Sequence, residues 1–227
     1  MLITQLGELV NGELANGVNK MNYSSLVTQI KNFVEDDSTE FSDSIDAIID
    51  QTEEMIFQRL PNLPCFRQNA TGTLTAGTAD YTVANSRIIR QVAITVSSNV
   101  KFLDHRTDSY LRDYSPNPST QAEPKFYSTK TASTSGTTIT LGPNPNSNYS
   151  YQVDFMAPAT GLSSGNTTTW LGDNAENVLL SGCLYEASAF LKAPETVTLY
   201  KAQFDEAIQL MQQEMLRDWA SEFSGGI

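Results

Sequence analysis

The letters Gly161-Leu-Ser-Ser-Gly165 fit G-x-S-x-G, the pattern that exposes a nucleophilic serine at a sharp strand-to-helix turn. Such a serine needs a base, and in the α/β-hydrolase order the histidine follows it. The chain has one histidine, His105, and it lies upstream. The stretch sits in a Ser/Gly/Thr-rich loop, so its composition predicts a flexible linker and no catalytic role. His105 itself stands between Asp104 and Arg106, with Asp108 nearby. One histidine without a dense carboxylate loop cannot anchor zinc, so a polar surface cluster is expected there. Glu35-Asp36-Asp37 with Glu40 is acidic but lacks the 12-residue ligand loop of a calcium site. Neither G-x-x-x-x-G-K-[ST] nor G-x-G-x-x-G occurs, so no phosphate loop is predicted.

The two cysteines, Cys65 and Cys183, lie far apart and neither is in a C-x-x-C pair. They read as unbridged thiols. Cys183, Tyr185 and Glu186 fall within Trp170–Lys192, "WLGDNAENVLLSGCLYEASAFLK", where the apolar spacing predicts a core helix and no reactive trio. Sequons at Asn22, Asn69, Asn148 and Asn166 are expected to be unmodified in a chain this rich in Asn, Ser and Thr. Tyr110, Tyr114, Phe126 and Tyr127 have faces that bases can stack on, but no excess of Lys or Arg surrounds them. Core or subunit contact is the better expectation, and Tyr110 and Tyr114 become candidate interface residues. No catalytic residue, cofactor-binding residue or metal ligand is assigned, and no cofactor is expected.

Charge narrows the partners. The formal net charge of the 227 residues is −12. Between Arg67 and Gly172 there are 8 basic and 6 acidic residues, so the acidity is concentrated outside that stretch. Gripping nucleic acid requires clustered Lys and Arg. This chain is instead suited to lying near DNA without adhering. No run approaches the roughly 20 apolar residues of a membrane span. The opening residues lack the basic and apolar regions of a signal peptide, so synthesis without secretion is expected.

The elements that would position these residues fall into three blocks. Leu26, Val27, Ile30, Phe33 and Val34 have helical spacing, with Ser24 available as a cap. Phe41, Ile45, Ile48, Ile49, Thr52, Met55, Ile56 and Leu60 form the face of a second helix, which Pro61 and Pro64 end. From about Gly72 to Thr169, short β-prone runs alternate with Gly, Pro, Asn and Ser turns. One short helix, capped by Thr107 or Asp108, interrupts them. Asp173 and Glu176 then fit a capping box, and Ala175, Val178, Leu179, Cys183, Ala187, Phe190 and Leu191 line a third helix. Pro194 opens a fourth, carrying Tyr200, Phe204, Ile208, Met211, Met215 and Trp219.

The expected fold is α+β: a four-helix bundle made by both ends of the chain, with an inserted antiparallel β-sandwich or barrel. The expected organisation is an extension at 1–20, the first half of the bundle at 21–66, the inserted β domain at 67–172, the second half at 173–222 and a tail at 223–227. Linkers are expected around 66–70 and 161–172.

Order and spacing together resemble the head-to-tail adaptor proteins of tailed bacteriophages. The stretches that carry the resemblance are "MNYSSLVTQIKNFVEDDSTEFSDSIDAIIDQTEEMIFQRLPNLPCFRQ", "KFLDHRTDSYLRDYSPNPSTQAEPKFYS", "TLGPNPNSNYSYQVDFMA" and "WLGDNAENVLLSGCLYEASAFLKAPETVTLYKAQFDEAI", spread over residues 21–222. The resemblance implies a virion structural protein and no enzyme. It implies a dodecameric ring below the portal protein at the head–tail junction, made in the host bacterial cytoplasm. The ring would extend the DNA channel without sequence-specific binding. It would dock tail or nozzle proteins, sometimes fibres, for genome retention and ejection. Within this frame the C-terminal segment, with Asp218, Trp219 and Phe223, is the expected portal contact. A secreted or surface carbohydrate-binding β-sandwich is the alternative from a different class.

Overall fold

A computed structural model describes residues 20–130 and 136–224, with side chains as far as Leu216. It is a mixed helix-and-sheet fold of two compact units. One holds the described residues up to Ile56 and from Thr160 onward; the other runs from Phe57 to Ala159.

The first unit is helical. Helix α1 (Tyr23–Val34) buries Leu26 and Ile30. Its cap is Asn22, not Ser24: the Asn22 side chain accepts from the Ser25 amide at 2.9 Å, and Ser25 Oγ accepts from the Asn22 amide at 3.0 Å. A capping box needs its first member before the helix, and Ser24 already lies inside the first turn. Helix α2 (Thr39–Arg59) buries Phe41, Ile45, Ile48, Ile49, Thr52 and Ile56, the face that the spacing indicated, with Met55 half-buried. Tyr23 donates to Asp46 at 2.5 Å and Lys31 to Ser42 at 2.8 Å, tying α1 to α2.

The chain's return to helix differs from the expected capping box. A five-residue helix, α4 (Trp170–Asn174), comes first, capped by Thr169, whose hydroxyl accepts from the Gly172 amide at 3.2 Å. Asp173 therefore sits inside α4 and pairs with Lys20 at 3.2 Å. Helix α5 (Glu176–Phe190) starts at Ala175 without a side-chain cap. Met21 donates its amide to the Gly172 carbonyl at 2.9 Å, so this turn is held by the start of the described chain. Helix α6 (Pro194–Ser224) begins on Pro194 and buries Phe204 and Ile208.

Gly182 is where three helices meet. A Cβ there would lie 2.6 Å from Thr52 Cγ2 of α2 and 3.0 Å from Phe204 Cε2 of α6. Cys183, next to it, is fully buried. Phe190, at the end of α5, meets Phe41 with ring centroids 6.1 Å apart.

Residues 161–165 are not a flexible linker. Leu162 is buried, and its amide donates to the Glu53 carboxylate of α2 at 3.2 Å to each oxygen. Asn166 donates through Nδ2 to the Gly161 carbonyl at 2.8 Å and closes the loop.

The second unit holds the sheets. Strands β1 (Arg67–Thr73), β10 (Ser150–Met156), β3 (Ile88–Val96) and β4 (Asn99–Phe102) form one four-stranded sheet in that order, each neighbour antiparallel. A second sheet has the order β2 (Asp80–Ala84), β8 (Gly136–Gly142), β7 (Phe126–Lys130), β5 (Asp104–His105). Its β5–β7 pair is parallel, as is the small β6 (Gln121–Ala122)–β9 (Asn144–Pro145) pair. Val92, Ile94, Val153 and Phe155 of the first sheet share one core with Val83, Tyr127, Ile139 and Leu141 of the second. The sheets do not close into a barrel. Residues 66–70 are not a linker either: Pro64–Phe66 make a 3-10 turn, and β1 starts at Arg67.

Helix α3 (Asp108–Tyr114) lies in this unit and is capped by Thr107. Its Leu111 is buried against Gly142, where a Cβ would come within 2.9 Å of Leu111 Cγ. That approach fixes α3 on β7 and β8.

Candidate functional site

Helix α3 gathers the aromatic residues singled out in the sequence. The Thr107 hydroxyl accepts from the Tyr110 amide at 3.3 Å and starts the helix. Arg112 Nε donates to Asp108 Oδ2 at 2.8 Å, a charge-assisted bond one turn along, and Lys130 Nζ lies 3.6 Å from Asp108 Oδ1. The bond from Arg112 is the main cause that holds the Asp108 carboxyl below its ordinary range. A carboxylate in the first turn also suits the helix dipole.

Because Tyr110 and Tyr114 are four residues apart on a helix, they fall on one face. Their rings stack at 6.2 Å and 11°. Phe126, at the start of β7, meets both edge-on, at 5.3 and 4.9 Å. The Arg106 guanidinium lies 5.7 Å from the Tyr110 centroid and 5.9 Å from that of Phe126. The tyrosines remain 41% and 46% exposed. An aromatic cluster held by a buried leucine, topped by an arginine and open to solvent has the make-up of an interface anchor. Tyr and Arg are the residues that most often carry binding energy, and here the rings are pre-ordered.

His105 belongs to the same neighbourhood, with its ring 5.0 Å from that of Tyr127 and Nε2 3.4 Å from Thr129 Oγ1. Arg106 pairs with Asp104 at 3.4 Å. Among the described residues, no group of three or more His, Cys, Asp or Glu is placed to hold a metal ion. No described helix is long and apolar enough to cross a membrane.

The helical unit offers acidic surfaces instead. On α2, Asp43, Asp46 and Asp50 are exposed along one face. A groove between the start of α5 and α6 is lined by Asp173, Glu176, Glu206 and Glu214, together with Val178 and Met211. The Glu53 carboxyl, at the loop described above, is pushed up to about 7; burial is the main cause, opposed by the Leu162 amide, and the Asp50 charge adds to it. Burial also pushes the Cys183 thiol up to about 12.

Of the sequence-selected interface residues, Tyr110 and Tyr114 are brought together. Asp218, Trp219 and Phe223 lie on the last turns of α6, and their side chains fall outside the described residues. Arg106 and Phe126 complete the cluster: Arg106 directly precedes the Thr107 cap of α3, whereas Phe126 is twelve residues beyond Tyr114 and arrives by strand pairing.

A comparison with curated proteins returns no match. A family model described as SU10 adaptor protein matches residues 21–225, which takes in every described element from α1 to α6. The chain belongs to the SU10 adaptor protein family, the structural adaptor proteins of bacteriophage particles.

Proposed function

We propose that the protein is a head-to-tail adaptor. Twelve copies form a ring below the portal protein, extend the DNA channel and dock tail or nozzle proteins for genome retention and ejection. The observation that carries this reading is the family match over residues 21–225. Three features of the chain support it. α1, α2, α5 and α6 belong to one compact unit and each buries apolar residues, which supports reading them as a four-helix bundle. The α3 aromatic cluster supplies a rigid, half-exposed anchor for a protein partner. The acidic face of α2 suits a channel wall that repels the phosphate backbone.

Docking then rests on apolar anchors, while passage of DNA rests on like-charge repulsion. Packing of Tyr110 and Tyr114 against a partner removes exposed aromatic area from water, and Arg106 orients the contact. The C-terminal segment 218–227 is assigned to the portal.

The test is a particle-incorporation assay with Tyr110→Ala/Tyr114→Ala and with a chain ending at Arg217. Both are expected to give folded, soluble protein that is lost from particles, the truncation through loss of portal binding. Normal incorporation of the double variant would remove the docking role of α3. Portal binding by the truncated chain would remove that of the C-terminal segment.

A further inference from the structure

Helix α6 is longer than the helix it packs on. α5 has 15 residues and α6 has 31, about 22 Å against about 46 Å of helix. The start of α5 lies beside residues 203–214 of α6, and the last turns of α6 run past it.

One face of α6 is left open beside that start. Gln203, Glu206, Ala207, Leu210, Met211 and Glu214 follow one another at steps of three and one, the spacing of a single helical stripe. They form one wall of a groove of about 440 Å³. The other wall is the turn from α4 into α5, whose Ala175 and Val178 are buried. In the middle of the stripe Leu210 remains 60% exposed. The groove thus offers an apolar strip about three turns long.

Charge decides what can fill it. Asp173, Glu176, Glu206 and Glu214 line the groove, and no Lys or Arg does. Asp173 is held by Lys20 at 3.2 Å. Glu176, Glu206 and Glu214 have no ion-pair partner among the described residues. An apolar strip flanked by unpaired carboxylates complements a segment that carries Leu, Met or Phe on one side with Lys or Arg beside them.

The same carboxylates disfavour the occupants that this chain could supply. Residues 1–19 lead to Lys20, whose partner Asp173 lines the groove, and they include apolar residues from Leu2 to Leu14. Their charged side chains are Glu8 and Glu13, however, with no Lys or Arg. A second copy applied through its own α6 stripe would set Glu206 and Glu214 against Glu206 and Glu214. The other helices have no basic cluster to offer: α1 carries only Lys31, α2 only Arg59, α3 only Arg112, and α4 and α5 none. DNA is repelled by the groove as it is by the rest of the acidic unit.

We propose that this groove docks a basic amphipathic helix of a different particle protein. The apolar side of that helix lies on Ala207, Leu210 and Met211, and its Lys or Arg side chains meet Glu176, Glu206 and Glu214. The stripe spans about 17 Å of α6, which suits three turns of a docked helix. This rests on the adaptor reading above and gives it a second docking surface, in the helical unit, that selects its partner by charge.

The test uses full-length chain in purified particles, with a photoreactive benzophenone amino acid in place of Leu210. After irradiation the cross-linked peptide is sequenced by mass spectrometry. The expected adduct is to a different particle protein, at a segment where Lys or Arg flanks apolar residues. Glu206→Gln with Glu214→Gln should cut its yield at least fivefold while circular dichroism matches the parent. Asp37→Asn with Glu40→Gln removes the same charge from exposed positions elsewhere in the unit and should leave the yield unchanged. An adduct to residues 1–19 or to a second copy would overturn the proposal in favour of that occupant. So would an adduct to a segment without Lys or Arg, or equal yields from the two double variants. Particles that hold the chain at the head–tail junction but give no adduct would overturn the docking and leave the adaptor reading standing. Particles that lack the chain would remove both.

Discussion

Replacing Glu53 with glutamine should stabilise the protein, and more so as the pH rises. Glu53 lies near the end of α2, where its carboxyl faces the Leu162 amide and the start of the 160s loop. Gly161 packs so closely that a Cβ there would come within 2.3 Å of Glu53 Oε2. Little water can reach the group, and burial lifts its pKa from 4.5 to about 7. A raised pKa means that the folded state holds the proton more tightly than the unfolded one. The stabilising contribution is then complete below pH 4.5 and lost as pH rises through 7. A shift of this size corresponds to about 3 kcal/mol over the whole window. Glutamine keeps an oxygen that accepts from Leu162 and cannot ionise. The sequence pI of about 4.4 makes the acid end of the window poor for solubility, so urea unfolding is best followed from pH 5.5 to 8.5. Glu53→Gln should exceed the parent by about 1 kcal/mol at pH 5.5 and about 3 kcal/mol at pH 8.5. Other titrating groups, Glu186 among them, are common to both proteins and cancel in the difference. A stability gap that does not change with pH would refute the reasoning, as would a variant less stable than the parent at pH 8.5.

Four further outcomes follow from packing. Gly182→Ala gains about 1 kcal/mol of helix propensity, but its methyl meets Thr52 and Phe204, both fully buried. Crowding in a closed core costs about 1–3 kcal/mol, so a lowered midpoint in thermal unfolding is expected. Gly165→Ala, with nothing within 4 Å, should leave the midpoint almost unchanged. Ser128 Oγ is buried with no hydrogen-bond partner among the described residues, so Ser128→Ala should be neutral or stabilising by about 1 kcal/mol in urea unfolding. Cys183, buried and held as the thiol, should react with a disulfide reagent only on unfolding, while half-buried Cys65 reacts first.

The helices were legible because apolar periodicity survives into burial. The positions from Phe41 to Ile56 on α2 and from Val178 to Ala187 on α5 are those that the structure closes over. Strands β3 and β10 were legible for the same reason, since a strand that faces a core must carry Val, Ile or Phe at alternate positions. Strand β1, "RQNATGT", was not. It is an edge strand whose exposed side chains are polar, and it is held by pairing with β10, which leaves no mark in its own composition. Ser24 and Asp173 have the chemistry of caps, but Ser24 lies inside the first turn of α1, and Asp173 lies inside α4, two residues before the uncapped start of α5 at Ala175. The short loop at Gly161–Gly165 looked like a linker by composition; its order comes from Glu53, more than a hundred residues earlier. The aromatic cluster was half legible. Tyr110 and Tyr114 stand at helical spacing and Arg106 lies four residues before Tyr110, whereas Phe126 joins them only through the β5–β7 pairing.

The central claim is that this chain is a multi-copy adaptor between head and tail. Cryo-electron microscopy of purified particles carrying an N-terminally tagged chain tests it most directly. A twelve-fold ring at the head–tail junction, in contact with the portal and bearing the tag, is the expected result. Tag density elsewhere on the particle, or its absence from particles, would contradict it.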